Sequence, residues 1–367
     1  MSKALIFTDI HLHQHKKSSE RLQDCLNVLD WIFKMAIEEG VDNILFLGDL
    51  FHDRQKIDAL TYIKTFQIFE SFCQQHPKIN IYLLVGNHDL WFYQKTDISS
   101  VMPLRAFNNI HVVDSPCTLN LSAPHRTKNI YPISFLPYTH DPITDIKNIK
   151  NDSKFKMLVG HIAVDGAVLN SMHSTHAEVA IEHDGEMVKC GVGMFDGWDQ
   201  VFLGHYHAEQ QLTPNVEYVG SPLELSFGEA FQEKHIVVYN LETHEKKYIV
   251  NNFSPKHLII PEKDLDKYDL KGNFVRLIVD NLAQSDLINL RNNVAQINPA
   301  SLEITSKPKV IKEEVAMMED AKAILFKEDE MLERYIKEMS ENNLLNGLDV
   351  DALLKIGKTI CQSCADV

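Results

Sequence analysis

The chain has no apolar run approaching the ~20 residues that a membrane-spanning helix needs, which argues against an integral helical membrane protein. Its first residues, Met1 to Asp9, hold too short an apolar stretch for a secretory signal. The expectation is a cytoplasmic protein. Cysteine is sparse: six among 367 residues, at Cys25, Cys73, Cys117, Cys190, Cys361 and Cys364. Such scatter does not make a disulfide framework and reads as reduced, mostly buried thiols. Cys361 and Cys364 form one C-x-x-C, but no second pair or nearby histidine completes a four-ligand zinc site. Positive charge is short as well, with 36 Lys and Arg against 51 Asp and Glu, a net charge of −15. Alone, that balance argues against nucleic-acid binding, which draws on Lys and Arg for phosphate contacts. Metal sites, however, use carboxylates, and a bound cation returns local positive charge. Internal repeats and low-complexity tracts are also missing.

What is present is an ordinary globular composition, 44% hydrophobic and 24% charged. The length predicts a main domain with one or two smaller units. From the start, short apolar runs alternate with amphipathic stretches: strands over 4–7, 43–47 and 79–85, and helices over 22–37 and 60–72. This β-α-β-α-β rhythm predicts an α/β fold with a central, partly parallel sheet. Later strands at 156–159, 201–203, 217–219 and 235–239 look shorter and hairpin-like, as in a second sheet packed on the first. After 251–261 comes a small β-α-β unit: strand 274–279, helix 283–297, strand 302–305. Ser306-Lys307-Pro308-Lys309 reads as a linker. Beyond it, Val315, Met318, Leu325, Leu332, Tyr335 and Met339 fall roughly on one helical face, and 350–360 forms a second amphipathic helix.

The chemistry sits where polar residues follow strands. The first strand ends in Asp9-Ile10-His11, the second in Gly48-Asp49, the third in Gly86-Asn87-His88-Asp89. Later ones end in Gly160-His161 and Gly204-His205-Tyr206-His207. Singly, each of these is usually a turn; five in order are a constellation. Sheets with parallel strands form sites at the strands' carboxyl ends, and glycine before a ligand allows a sharp turn. Imidazoles, carboxylates and one amide, with no thiolate, suit manganese, iron, zinc or nickel rather than calcium. Asp49 is the candidate bridge between two metals. Two metals ~3.5–4 Å apart can hold a hydroxide at neutral pH and clamp an in-line displacement at phosphorus.

These five motifs, in this order, resemble the calcineurin-like metallophosphoesterases. Within them the chain looks most like the nuclease subunit of the SbcC–SbcD double-strand-break repair complex and its archaeal, eukaryotic and phage relatives; the compact length suits a phage-encoded version, which would act in the host cytoplasm. Gly48-Asp49-Leu50-Phe51-His52 and Gly204-His205-Tyr206-His207-Ala208-Glu209-Gln210 carry that narrower likeness. So does the stretch from Tyr218 through Gly220-Ser221-Pro222 and Ser226-Phe227-Gly228-Glu229 to Lys234 and Tyr239. The resemblance covers about residues 3–243 well and the rest in layout.

It implies a four-layer α-β-β-α sandwich over 1–250, a small α+β lobe that grips DNA over 251–308, and helices over 309–367 that dock on a partner. One metal falls to Asp9, His11, Asp49 and His207, the other to Asp49, Asn87, His161 and His205. His88 stabilises the transition state or protonates the leaving oxygen. His52 acts near the phosphate or orients a ligand, and Asp53 and Asp89 stand behind ligands. The cofactors are two divalent ions, Mn2+ by family expectation. The activity is 3′-to-5′ exonuclease and endonuclease action on DNA by a two-metal-activated hydroxide. The partner is an SMC-like coiled-coil ATPase, and the chain is a homodimer, through helix 60–72 and the aromatics Trp91, Phe92 and Tyr93 unless those are core.

Two departures stand out. The family has glycine where this chain has His13, so the run His11 to Lys17 is unusual; His15, Lys16 and Lys17 are either DNA contacts or a solvated loop. The segment 313–367 holds 13 acidic and 6 basic residues, which fits a protein partner or packing on the chain's own core, not DNA. The competing reading is a phosphodiesterase or phosphatase acting on small phosphate esters or phosphoproteins, which Asp53-Arg54 faintly echoes. A scaffold that lost activity finds no support, because every ligand position is filled.

Overall fold

A computed structural model of the chain describes residues 2–14, 19–92, 95–122, 129–170, 175–183, 186–280 and 282–306. They belong to one compact unit, Met1–Ser306. The expected C-terminal helices, the linker beyond Ser306, Tyr93, Cys361 and Cys364 lie outside the described residues, as do His15, Lys16 and Lys17. Among the described residues no helix is long and apolar enough to cross a membrane.

Two six-stranded sheets face each other. The first runs in the order Lys246–Val250, His235–Asn240, β1 (Lys3–Phe7), β2 (Asn43–Phe46), β3 (Asn80–Leu84) and Ile110–Val113. From β1 onward its strands are parallel. Each central strand is apolar on both faces because both faces are covered. Leu5 and Phe7 meet α1 (Ser19–Glu38) and α2 (Ala59–Gln75) through Leu26, Leu29, Phe33 and Phe69. Ala4 and Ile6, one step out of phase, turn to Phe135, Val159 and Phe202 of the other sheet. That second sheet is covered outside by α3 (Pro142–Asn148), through Ile146, and by Phe195. The result is the expected four-layer α-β-β-α sandwich. The α2 start is set by Asp58, whose side chain accepts from Thr61 N at 3.0 Å.

The later strands correct the hairpin-like expectation in part. Met157–His161 and Gln200–Gly204 pair in parallel across a long crossover, and Met157–His161 also pairs in parallel with Ile130–Leu136, a strand the patterning missed. Val216–Tyr218 lies parallel to Gln200–Gly204 but closes a hairpin with Gln210–Thr213, and His235–Asn240 closes one with Lys246–Val250. A short apolar run bordered by turns looks the same in either pairing, and only the connections decide. Ile110–Val113, Cys117–Ser122 and His257–Pro261 are strands that the patterning did not single out. The small β-α-β unit is present, with His257–Pro261 as a third parallel strand beside Phe274–Val279 and Ser301–Ser306. With α4 (Gln284–Ala295) it closes its own core of Leu258, Ile260, Val275, Leu277 and Val294.

Candidate metal centre

Five parallel strand ends from both sheets deliver the candidate donors to one place. Asp9 and His11 follow β1, Asp49 follows β2, Asn87 follows β3, His161 ends Met157–His161, and His205 and His207 follow Gln200–Gly204. Seven described residues other than glycine have positive φ, and four of them are Asp9, His11, Asp49 and His205, at 51°, 50°, 59° and 103°. Such a conformation costs an L-residue about 1–2 kcal/mol, and its concentration at one spot marks a place held in a strained geometry by its surroundings. The chain is pinned there by Asp9 N donating to Gly48 O (3.0 Å) and His11 N to Asp49 O (3.2 Å).

The glycines serve in two ways. Gly48, at φ +103°, makes the sharp turn expected of it. Gly86 and Gly204 supply space instead. A Cβ on Gly204 would meet Thr8 Oγ1 at 2.1 Å, and one on Gly86 would meet Asp49 Oδ1 at 2.3 Å and Asp49 N at 2.5 Å. Gly86→Ala is therefore expected to push Asp49 out of place and to cost about 1–3 kcal/mol, read from denaturation of the metal-free chain.

The donors form two groups that meet on Asp49. In one, His11 Nε2 lies 3.1 Å from His207 Nε2, 3.7 Å from Asp9 Oδ1 and 3.6 Å from Asp49 Oδ2. In the other, Asn87 Oδ1 lies 3.0 Å from His161 Nε2 and 2.9 Å from His205 Nδ1, and Asp49 Oδ2 lies 3.4 Å from His161 Nε2. The donor atoms of Asp9, His11 and His207 lie within 4.8 Å of one another, as do those of Asp9, Asp49 and His161. Asp9 Oδ1 is fully buried and has no hydrogen-bond partner, a state that costs about 1–3 kcal/mol or more. A buried acceptor without a donor, facing imidazole nitrogens, fits a cation. The His, Asp and Asn donor set fits a borderline divalent metal.

The charges point the same way. Burial pushes the Asp9 carboxyl up, but the His11, His161 and His207 rings more than offset it and hold it at about 2. Burial acts likewise on Asp49, and the His161, His11 and His88 groups hold it well below the usual range. Burial lowers His161, yet Asp49 and Asp9 bring it up to about 9. Two buried carboxylates thus keep their charge by recruiting positive charge. His205, half-buried and next to His161, is pushed down to about 4, so near neutral pH its ring is uncharged and keeps one nitrogen lone pair free.

Other residues stand behind the donors. Thr8 Oγ1 (2.6 Å) and His205 N (3.0 Å) donate to Asp9 Oδ2. His161 Nδ1 donates to Leu47 O at 2.6 Å. The buried Asp89 accepts from Asp49 N (2.9 Å), Gly86 N (3.0 Å) and Leu50 N (3.0 Å), so it shapes two of the loops. His207 Nδ1 meets Glu229 Oε1 at 3.0 Å, and Glu229 Oε2 meets Lys234 Nζ at 2.7 Å. Glu229 and Lys234 received no role from the sequence. The signal that was there is a lysine directly before the apolar run His235–Tyr239, and an acid five residues earlier.

The remaining candidates are placed as follows. His88 is half-buried, its ring 4.7 Å from that of His11, and its Nδ1 donates to His52 O at 2.6 Å. Burial holds its pKa below the usual imidazole range, against the pull of Asp49. His52 is exposed, with its ring 5.7 Å from that of His88 and 4.4 Å from that of His13. Asp53 is exposed and outside the cluster. Trp91 and Phe92 are 48% and 40% exposed, so they are not core.

A sequence model described as calcineurin-like phosphoesterase matches residues 2–209. The chain belongs to that family. This phosphoesterase is 25% identical over 255 residues to exonuclease subunit 1 of Enterobacteria phage T4, covering 67% of this chain and 68% of that one. It is 25% identical over 263 residues to the SbcD component of the SbcCD nuclease of Bacillus subtilis, covering 65% and 66%. Over 95 residues it is 32% identical to the DNA double-strand break repair protein Mre11 of Halobacterium salinarum, covering 24% and 22%. The match to the Bacillus protein thus spans just under two thirds of that relative, and the match to the Halobacterium protein about a fifth. Among solved structures, Pseudomonas putida nuclease MPE matches at 16% identity with a TM-score of 0.26, over 57% of this chain and 80% of that one. As a calcineurin-like phosphoesterase, the chain is a hydrolase of phosphate esters from a family that uses divalent metals.

Proposed function

We propose that this phosphoesterase is a DNA nuclease that works with two divalent cations, manganese in its active form. The observation that carries the reading is the meeting of two donor groups on one buried carboxylate. Asp9, His11, Asp49 and His207 would hold one cation, and Asp49, Asn87, His161 and His205 the other. The names of the relatives, an exonuclease subunit, a nuclease component and a break-repair protein, support DNA as the substrate. Bound there, the cations supply Lewis-acid activation of water and of the phosphodiester.

The chain's own residues do the rest. The Leu47 carbonyl accepts a hydrogen bond from His161 Nδ1, which holds the hydrogen there and leaves Nε2 as the ligand atom. Likewise the His52 carbonyl holds the proton of His88 on Nδ1, which leaves Nε2 as the ring atom that takes or gives a proton at the leaving oxygen. His52, exposed beside it, would meet the phosphate chain on the solvent side; its exposure and its ring 5.7 Å from that of His88 support this role.

We extend the proposal to 3′-to-5′ exonuclease and endonuclease action within a recombination and repair complex. In it, 251–308 and the residues His15, Lys16 and Lys17 contact DNA, 309–367 dock on an SMC-like ATPase, and the chain is a homodimer. The test is nucleotide release from linear double-stranded DNA with Mn2+ and with EDTA, beside a nucleotide monoester. Manganese-dependent degradation with the monoester untouched is the expected result. Monoester cleavage with intact DNA would move the chain to the small-substrate phosphatases. His88→Ala is expected to keep both cations and slow DNA hydrolysis by about 10²–10⁴-fold; a full rate would remove His88 from the reaction.

A further inference from the structure

Glu229 and Lys234 belong to neither donor group, yet they are firmly braced charges beside one of them. Glu229 is 7% exposed and Lys234 2%. Besides His207 Nδ1, the Glu229 carboxylate holds Lys234 Nζ, the Ser221 hydroxyl at 3.1 Å and Leu225 N at 3.2 Å. Lys234 in turn donates to the His207 carbonyl at 2.8 Å, Ser221 Oγ at 3.0 Å and Gln232 Oε1 at 3.1 Å. His207 is therefore held twice, at its ring by Glu229 and at its backbone by Lys234.

Two of the other rings are held more weakly. His161 Nδ1 faces the neutral Leu47 carbonyl, and His11 Nδ1 has no hydrogen-bond partner. Among the described residues, His207 is the only candidate ligand whose outward nitrogen pairs with a carboxylate. A carboxylate there keeps the proton on Nδ1, aims the Nε2 lone pair at the cluster and makes the ring a stronger donor. Nε2 does point there, 3.1 Å from His11 Nε2 and 3.9 Å from Asp9 Oδ1.

We propose that Glu229, braced by Lys234, is a positioning residue that makes the Asp9–His11–His207 position the tighter of the two, so that the cations load unequally. This rests on the two-cation reading above. The asymmetry is built into the fold: the Glu229 side has a buried carboxylate behind its ligand, and the Asn87 side has a carbonyl.

The test is a Mn2+ titration of the full chain, freed of metal, by calorimetry and by counting free Mn2+ from its paramagnetic resonance signal. The parent is expected to show two classes of site. In Glu229→Gln, which keeps the volume and an oxygen acceptor, the tighter class is expected to weaken by about 10- to 100-fold while the weaker class is unchanged. Glu229→Ala should weaken the tighter class further. Thermal unfolding of the metal-free variants separates this from a packing role. Equal weakening of both classes with a lowered unfolding temperature would overturn the proposal, as would no change in either. A parent with two indistinguishable sites would also overturn it. A parent that binds fewer than two ions would remove the two-cation reading itself, without any DNA in the assay.

Discussion

Replacing Asp89 by alanine is expected to cost the metal-free chain about 3–5 kcal/mol. Asp89 is 0% exposed and accepts from three backbone N–H groups, those of Asp49, Leu50 and Gly86. Each would be left buried without an acceptor, at about 1–3 kcal/mol apiece. One effect opposes the loss. Burial and the neighbouring Asp49 push the Asp89 carboxyl from 3.8 up to about 7, so its ionised form is disfavoured in the folded chain. Across about pH 4 to 7 the folded chain keeps a proton that the unfolded chain has released. The contribution of this group is thus fully present at the acid end and is lost as pH rises through 7. The gap between parent and Asp89→Ala should accordingly be larger at about pH 5 than at about pH 8. Urea midpoints in EDTA at both values would show it. A gap that grows with pH, or a loss under about 1 kcal/mol, the usual range of a single exposed substitution, would contradict the account.

That dependence on Asp89 bears on what a sequence can show. The candidate donors that the fold brings together were legible because each follows a run with no polar residue, such as Ala4 to Phe7 or Ile44 to Leu47, and because chain order repeats the pattern five times. Asp89 was legible as a partner since it adjoins a motif, though not that it braces two loops at once. Glu229 was not assigned, because it lies 22 residues from His207 and only the fold brings them together. The Leu47 carbonyl behind His161 has no side-chain signature at all. Backbone strain is equally silent: Asp9 and His11 take a conformation for which sequence usually supplies glycine. In the fold, Cys117–Ser122 escaped notice because its alternating pattern puts as many polar as apolar residues in the window. The parallel pairing of Met157–His161 with Gln200–Gly204 escaped because it joins residues far apart in the chain.

Asp49→Ala should leave less than about one part in 10⁴ of the parent rate on DNA, a loss at or beyond the upper end for a single acid–base group. Three contributions meet at this residue, which is 1% exposed. Asp49 Oδ2 lies 3.6 Å from His11 Nε2 and 3.4 Å from His161 Nε2, so one oxygen serves both donor groups. Its Oδ1 accepts from His88 N at 2.8 Å, which sets where the His88 ring stands. On the proposed reading, the alanine removes the shared donor, the negative charge that would hold two cations together, and the anchor of the histidine proposed to handle the proton. Asp49→Asn separates these. It keeps the volume and an oxygen for His88 N but gives up the charge, so it should lose cation binding while keeping the metal-free stability within about 1–2 kcal/mol. If either variant kept more than about a hundredth of the parent rate, a loss as small as that of an outer-shell partner, Asp49 would not be the bridge, and the two donor groups would have to act separately.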